Sequence, residues 1–258
     1  MTERMPGRSA ILARTPFRDI RGERFEVAVL PWAATEAHNL HLPFGTDIVE
    51  TETIAAAAAR MAAAGGARVV VLPAIPFGVN TQQMDIPLTI NMNPSTQMAV
   101  LSDVAASIEA HGVPKLLVLN GHGGNDFRQM IRELQVRHRT FLCAANWYRA
   151  VPREKFFGAP GDHADEMETS LMMHVAPGEV LPLSAAGPGA VKQHRIRAFR
   201  EGWAWAPRQW TKVSADTGAG DPRGATAEKG KAWFEAVTRA VADFLVELSA
   251  ADPGDMYG

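Results

Sequence analysis

The stretch Thr35–Asp47, "TEAHNLHLPFGTD", sets two carboxylates and two imidazoles within thirteen residues: Glu36, His38, His41 and Asp47. Glutamate, histidine and aspartate are the oxygen and nitrogen donors that hold divalent ions such as Mn²⁺, Zn²⁺ or Fe²⁺. Two ions a few ångströms apart need a carboxylate that bridges them. Asp47, just after Gly45 at the expected start of a helix, is the candidate bridge. Each residue also has a plainer reading, with Asp47 as a helix cap in "GTDIVET" and Glu36 as a solvated loop acid. His41 reads as supporting or structural, because the loop already offers better ligands.

Two further motifs carry the same donor types. In "NGHGGN" (120–125), His122 leaves the end of an apolar run, between glycines that allow close backbone approach and positive φ. The alternative is a tight strand-to-helix turn capped by Asn125. The motif is no phosphate loop, since it lacks the lysine and hydroxyl pair. In "HADEMETS" (163–170), a helix starting near Asp165 puts Glu166, Thr169 and Ser170 on one face and Glu168, Leu171 and Met172 on another. Glu166 is expected to complete a metal shell, and His163 to move protons at the mouth. The competing reading is an acidic first helical turn favoured by the helix dipole. Cys143, in an apolar run, reads as an inert buried thiol. Trp203, Trp205 and Trp210 suit a lid over a pocket or, alternatively, core or subunit packing.

These groups need a frame. Apolar runs at 26–31, 67–75, 115–121 and 140–146 predict buried strands, and helical patterns fall at 47–64, 95–111 and 125–138. A further helix begins near Asp165, the segment 184–224 reads as irregular, and a last helix runs through Trp233, Val237, Val241 and Leu245. Strands alternating with helices argue for a mostly parallel α/β sheet. Ligands of such sheets bind beyond the carboxyl ends of the strands. The three motifs follow the first, third and fourth strands, so their loops are expected to converge on one rim. The whole chain, 1–258, is expected to form a single domain.

Composition narrows the class. Apolar residues make up 47% and charged residues 21%, and the formal net charge is −2. That balance argues against nucleic acid as a partner, which calls for a basic surface. No stretch approaches the about eighteen apolar residues of a membrane span, and the first 23 residues lack the apolar core of a secretory signal. The single cysteine excludes an internal disulfide and suits a reducing, cytoplasmic compartment.

Taken in order, "TEAHNLHLPFGTD", "NGHGGN" and "HADEMETS" resemble the creatininase (creatinine amidohydrolase) family. The likeness runs from about residue 26 to 176, with a weaker echo in "GDPRGATAEKG". The resemblance implies a three-layer α/β/α sandwich with a mostly parallel central sheet and two divalent metal ions per chain, Mn, Zn or Fe. By position, Glu36, Asp47 and His122 would hold one ion, with His38 and Asp47 on the other. Creatininase itself places a glutamate where this chain has Gly124, and the resemblance implies Glu166 in its stead. His163 matches the family's proton-transfer histidine, and recurring hexamers imply a homo-oligomer.

The departures bear on substrate. Ala159 stands where creatininase proper has a tryptophan, and "NTQQMDIPLTINMNPST" differs from the common pattern, so creatinine is not the expected substrate. The expected activity is hydrolytic opening of a small cyclic amide or related carbonyl compound by a metal-bridging hydroxide, with His163 protonating the leaving atom. Gln82, Gln83 and Asp85 suit a polyhydroxylated ring, which makes carbon–carbon cleavage of a keto-inositol the alternative. A peptide-trimming peptidase and a non-catalytic metal-binding protein stand behind it.

Overall fold

A computed structural model of the chain describes residues 8–258. Part of the N-terminal stretch read above as lacking a secretory core, residues 1–7, lies outside the described residues. Among the described residues, β1 (Arg8–Ile11), β2 (Val27–Trp32), β3 (Arg68–Val71), β4 (Lys115–Asn120) and β5 (Phe141–Asn146) form one sheet in the order β1-β3-β2-β4-β5. Every neighbouring pair is parallel. The four predicted strands are present. The short edge strand β1 was not predicted and pairs with β3.

Helices cover both faces. Alternate residues of the strands divide between two cores, as the two-residue period of a strand requires. Val27, Val29, Val69, Val71, Leu117 and Leu119 face α2 (Thr46–Ala64) and α8 (Ala227–Ala250). Ala28, Leu30, Val70, Leu116 and Val118 face α3 (Pro94–Ala110) and α4 (Arg128–Gln135). Both strand faces are therefore apolar, which explains the continuous runs in the sequence. The result is a three-layer α/β fold.

Local chemistry sets the helix ends. Thr226 caps α8 by accepting from the Lys229 amide, and Pro94 opens α3. The alanine run of α2 lets α8 pack close, with Ala55, Ala58, Ala59 and Ala62 fully buried. One-turn helices α1 (Phe17–Ile20), α6 (Arg197–Arg200) and α7 (Trp210–Val213) punctuate the loops. The small antiparallel pair β6 (Gly161–His163) and β7 (Ala219–Gly220) was not predicted either. It leads into α5 (Glu166–Val175), which lies against α8. Among the described residues, no helix is long and apolar enough to cross a membrane.

Trp233 of α8 joins this core to the loop that precedes β6. Its indole meets Phe156 and Phe157 edge-on, with centroids 5.3 and 5.4 Å away, and is fully buried. Trp233→Ala is expected to destabilise the chain by about 3–5 kcal/mol, measured by guanidinium unfolding. The indole nitrogen has no hydrogen-bond partner among the described residues. Trp233→Phe, which keeps a ring and deletes that nitrogen, is expected to cost far less.

Candidate metal centre and active site

The loop after β2 carries Glu36 and His38, and the first turn of α2 carries Asp47. The loop after β4 carries His122, while β6 ends at His163 and α5 opens beside it. All five side chains are buried and meet at the carboxyl end of the sheet. His122 Nδ1 lies 2.8 Å from Glu36 Oε1 and 3.2 Å from Asp47 Oδ2. His38 Nε2 lies 3.0 Å from Asp47 Oδ1, and His163 Nδ1 lies 3.8 Å from Glu36 Oε1.

The carboxylate that α5 adds is Glu168, whose Oε2 is 4.0 Å from His38 Nε2. The structure therefore corrects the sequence expectation for Glu166. Successive helical residues turn by about 100°, so residues two apart point to nearly opposite sides. Glu166 points away from the cluster and pairs with Lys229. It also accepts from the amides of Gly158 and Ala159 at 3.0 and 2.9 Å. Asp165 caps α5 by accepting from the amides of Met167 and Glu168, and Arg153 grips its other oxygen. The Ala164 amide donates to Glu168.

The three imidazoles share one arrangement. Each donates its outer ring nitrogen to a backbone carbonyl: His38 Nδ1 to Glu36 at 3.0 Å, His122 Nε2 to Val79 at 3.1 Å, and His163 Nε2 to Ala37 at 2.8 Å. The inner nitrogens are left facing carboxylates. Histidine ligands of metals are held in this way, the second nitrogen fixing tautomer and ring orientation. Asp47 is buried with both carboxylate oxygens turned to imidazoles, Oδ1 to His38 and Oδ2 to His122. Three overlapping groups place ligand atoms within 4.8 Å of one another: Glu36–Asp47–His122, His38–Asp47–Glu168 and Glu36–His38–His163. Asp47 is common to the first two. The donor set fits divalent ions.

Without an ion, protons balance this charge. Burial alone would lower His38, but Asp47 beside it, with Glu168 and Glu36, raises it to about 10. Burial also works against His122, yet Glu36 and Asp47 hold it well above the usual imidazole range. Burial pushes Glu168 up to about 8 against the pull of His38. For Glu36, burial is outweighed by His122 and His163, and the carboxyl lies below its ordinary value.

The motif "NGHGGN" works by close approach. Positive φ, expected for its glycines, is absent at all three. A Cβ on Gly124 would lie 2.4 Å from both His122 Nε2 and the Val79 carbonyl. The helix expected from 125 begins at Arg128. Asn125 instead joins a buried amide network, donating to Asn120 Oδ1 and accepting from Gln97 and the Val79 amide. His41 bonds Thr169 at 2.9 Å, which ties the loop to α5. Cys143 is half-buried, with burial pushing its thiol to about 12, as expected of an inert group.

Two residues named from the sequence take roles that the sequence did not suggest. Gln83 donates to Glu36 and so orients it. Trp210 is buried and packs on His163. A cavity of about 1060 Å³ opens over the cluster, and Gln82, Asp126, Arg149, Trp205 and Trp210 are among its lining residues.

A parallel α/β sheet with a buried carboxylate–imidazole cluster at its carboxyl rim defines the class of metal-dependent hydrolases. Comparison with known proteins narrows the class. The family model "Creatininase: Creatinine amidohydrolase" matches residues 12–245, and the chain belongs to the creatininase family. A "Mycofactocin precursor peptide peptidase" from Mycobacterium ulcerans (strain Agy99) is 29% identical over 218 residues, 80% of this chain and 79% of the relative. The crystal structure of a creatinine amidohydrolase-like protein from Bacteroides fragilis NCTC 9343 has a TM-score of 0.90 and 39% identity. It covers 98% of this chain, which covers 99% of it. The structure "Creatininase Mn" shares the fold, with a TM-score of 0.73, 20% identity and coverage of 95% and 100%. A family member other than creatininase proper fits these relationships.

The proton on His38 has a measurable consequence. Its folded-state value of about 10 exceeds the ordinary 6.5, so the stability it contributes is complete below 6.5 and is lost as pH rises through about 10. In chelator-treated protein, the unfolding temperature is expected to fall between pH 6.5 and about 10, and His38→Gln should flatten that decline. Calorimetric melting at stepped pH checks it.

Proposed function

We propose that this enzyme works with two divalent ions, Mn²⁺, Zn²⁺ or Fe²⁺, and opens a small cyclic amide or related carbonyl compound. The observation carrying this reading is the shared arrangement of the three imidazoles, each outer nitrogen fixed by a backbone carbonyl and each inner nitrogen turned to the buried carboxylates Glu36 and Asp47. Glu36, Asp47 and His122 would hold one ion, and His38, Asp47 and Glu168 the other. Glu168 takes the place that the sequence suggested for Glu166. Bound there, such ions supply Lewis acidity and a water acidic enough to react near neutral pH.

The chain's own residues do the rest. Gln83 holds Glu36 in place. Tethered to Ala37 through Nε2, His163 presents Nδ1 to the cluster. That atom is placed to take a proton and pass it to the leaving nitrogen, or to carbon for a ketone substrate. The indole of Trp210 walls this part of the cavity.

A polyhydroxylated cyclic ketone is the second reading, favoured by a polar cavity wall. Gln82, Asp126 and Arg149 supply hydrogen-bond partners suited to hydroxyl groups. Asp85 is withdrawn from that role, because it accepts from the Thr211 hydroxyl. The cavity, about 1060 Å³, also has room for a short peptide, so trimming of peptides belongs in the same screen.

Metal content per chain by plasma mass spectrometry tests the reading. About two ions are expected in the wild type, almost none in Asp47→Ala and roughly one in Glu168→Gln. Glu166→Gln and His163→Ala should keep the wild-type content, with turnover depressed in His163→Ala. A wild type that takes up none of the three metals would sink the proposal. Mass and NMR analysis of products from cyclic amides, keto-inositols and short peptides then separates the substrate classes.

A further inference from the structure

A column of stacked groups runs from the cavity wall into the cluster. The Arg208 guanidinium lies 5.3 Å from the centroid of the Trp210 ring. Trp210 meets His163 at 4.9 Å between centroids, and His163 meets His38 at 4.2 Å. Trp210 is 5% exposed, in contrast to Trp205, which is 84% exposed.

The segment holding Trp210 is fastened at two points. Arg208 grips both carboxylate oxygens of Asp162, the residue just before His163. Thr211 donates to Asp85 on the loop that also supplies Gln83. Tying 208 to 162 and 211 to 85 sets α7 over the end of β6. Among the described residues, the His163 imidazole makes one hydrogen bond, from Nε2 to Ala37, and its Nδ1 faces Glu36 Oε1 at 3.8 Å. A single such bond fixes the direction of one N–H but lets the ring pivot about it. Where Nδ1 points then depends on the groups packed against the ring.

We propose that Trp210 is a positioning residue for His163, fixing the plane of the imidazole so that Nδ1 stays on the cluster, with the Arg208–Asp162 pair holding the indole in place. Trp210 acts through His163 and touches no reacting atom in this role. The inference rests on the proton-transfer reading of His163, but its test needs no substrate. A wild type without metal would count against the proposed function alone, because the state of His163 is readable on metal-free chains as well.

The experiment uses zinc-treated full-length protein: wild type, Trp210→Ala, Trp210→Phe and Arg208→Gln. Carbethoxylation of His163 by diethyl pyrocarbonate is followed by peptide mass mapping. The imidazole tautomer is read from long-range nitrogen-15 spectra. Wild-type His163 should react slowly and show the single Nε2–H tautomer. Trp210→Ala should react several-fold faster and show mixed tautomers, with zinc content and the His122 signals unchanged. Trp210→Phe should restore slow reaction, and Arg208→Gln should fall between. Wild-type behaviour of His163 in Trp210→Ala would overturn the inference, as would a phenylalanine variant that reacts as fast as the alanine one. If Trp210→Ala fails to fold, Arg208→Gln decides: faster reaction at His163 supports the inference, and an unchanged rate overturns it.

Discussion

Three carboxylates, Glu36, Asp47 and Glu168, are buried within a few ångströms of the same imidazoles. Like charges at such separations, away from water, repel strongly, and each has also lost its hydration. The rest of the site answers that constraint. Imidazoles interleave with the acids, and backbone carbonyls fix the outer nitrogens so that the rings cannot turn away. Glu50, one turn along α2 from Asp47, adds a fourth buried acid with neither oxygen partnered among the described residues. Burial, together with Glu168, Asp47 and Asp165, pushes its carboxyl well above the usual range, which favours the uncharged form.

The frame was legible because the central strands β2 and β4 are buried along their whole length and β3 nearly so, which leaves unbroken apolar runs. The loops at the strand ends could then be placed from the parallel order alone. The short edge strand β1 and the β6–β7 pair escaped, since their pairing depends on residues distant in sequence. Spacing in "HADEMETS" separated Glu166 from Glu168 by helix face, but which face turns inward is set by packing. Lys229 and the amides of residues 158 and 159 lie on one side of α5, while His38 lies on the other. None of those neighbours is local to the motif. The partners of Gln83 and Trp210 were hidden for the same reason, since these side chains reach Glu36 and His163 across long stretches of chain.

Gly124 and Glu168 belong to one solution. A side chain at 124 would collide with His122 Nε2 and the carbonyl that fixes it. In this chain the turn after β4 therefore has no space for an acid there, and the carboxylate near His38 arrives from α5 instead. Changing one position without the other would leave either a displaced imidazole or a surplus of buried negative charge.

More than half of the chain separates Glu36 from Glu168, and α8, which packs against α5, comes later still. During synthesis from the N-terminus, β1 to β4 can pair before the last acid has been made. The pocket is thus absent from every shorter nascent chain, whatever ions surround the ribosome. Assembly of the cluster therefore waits until α5 has been made.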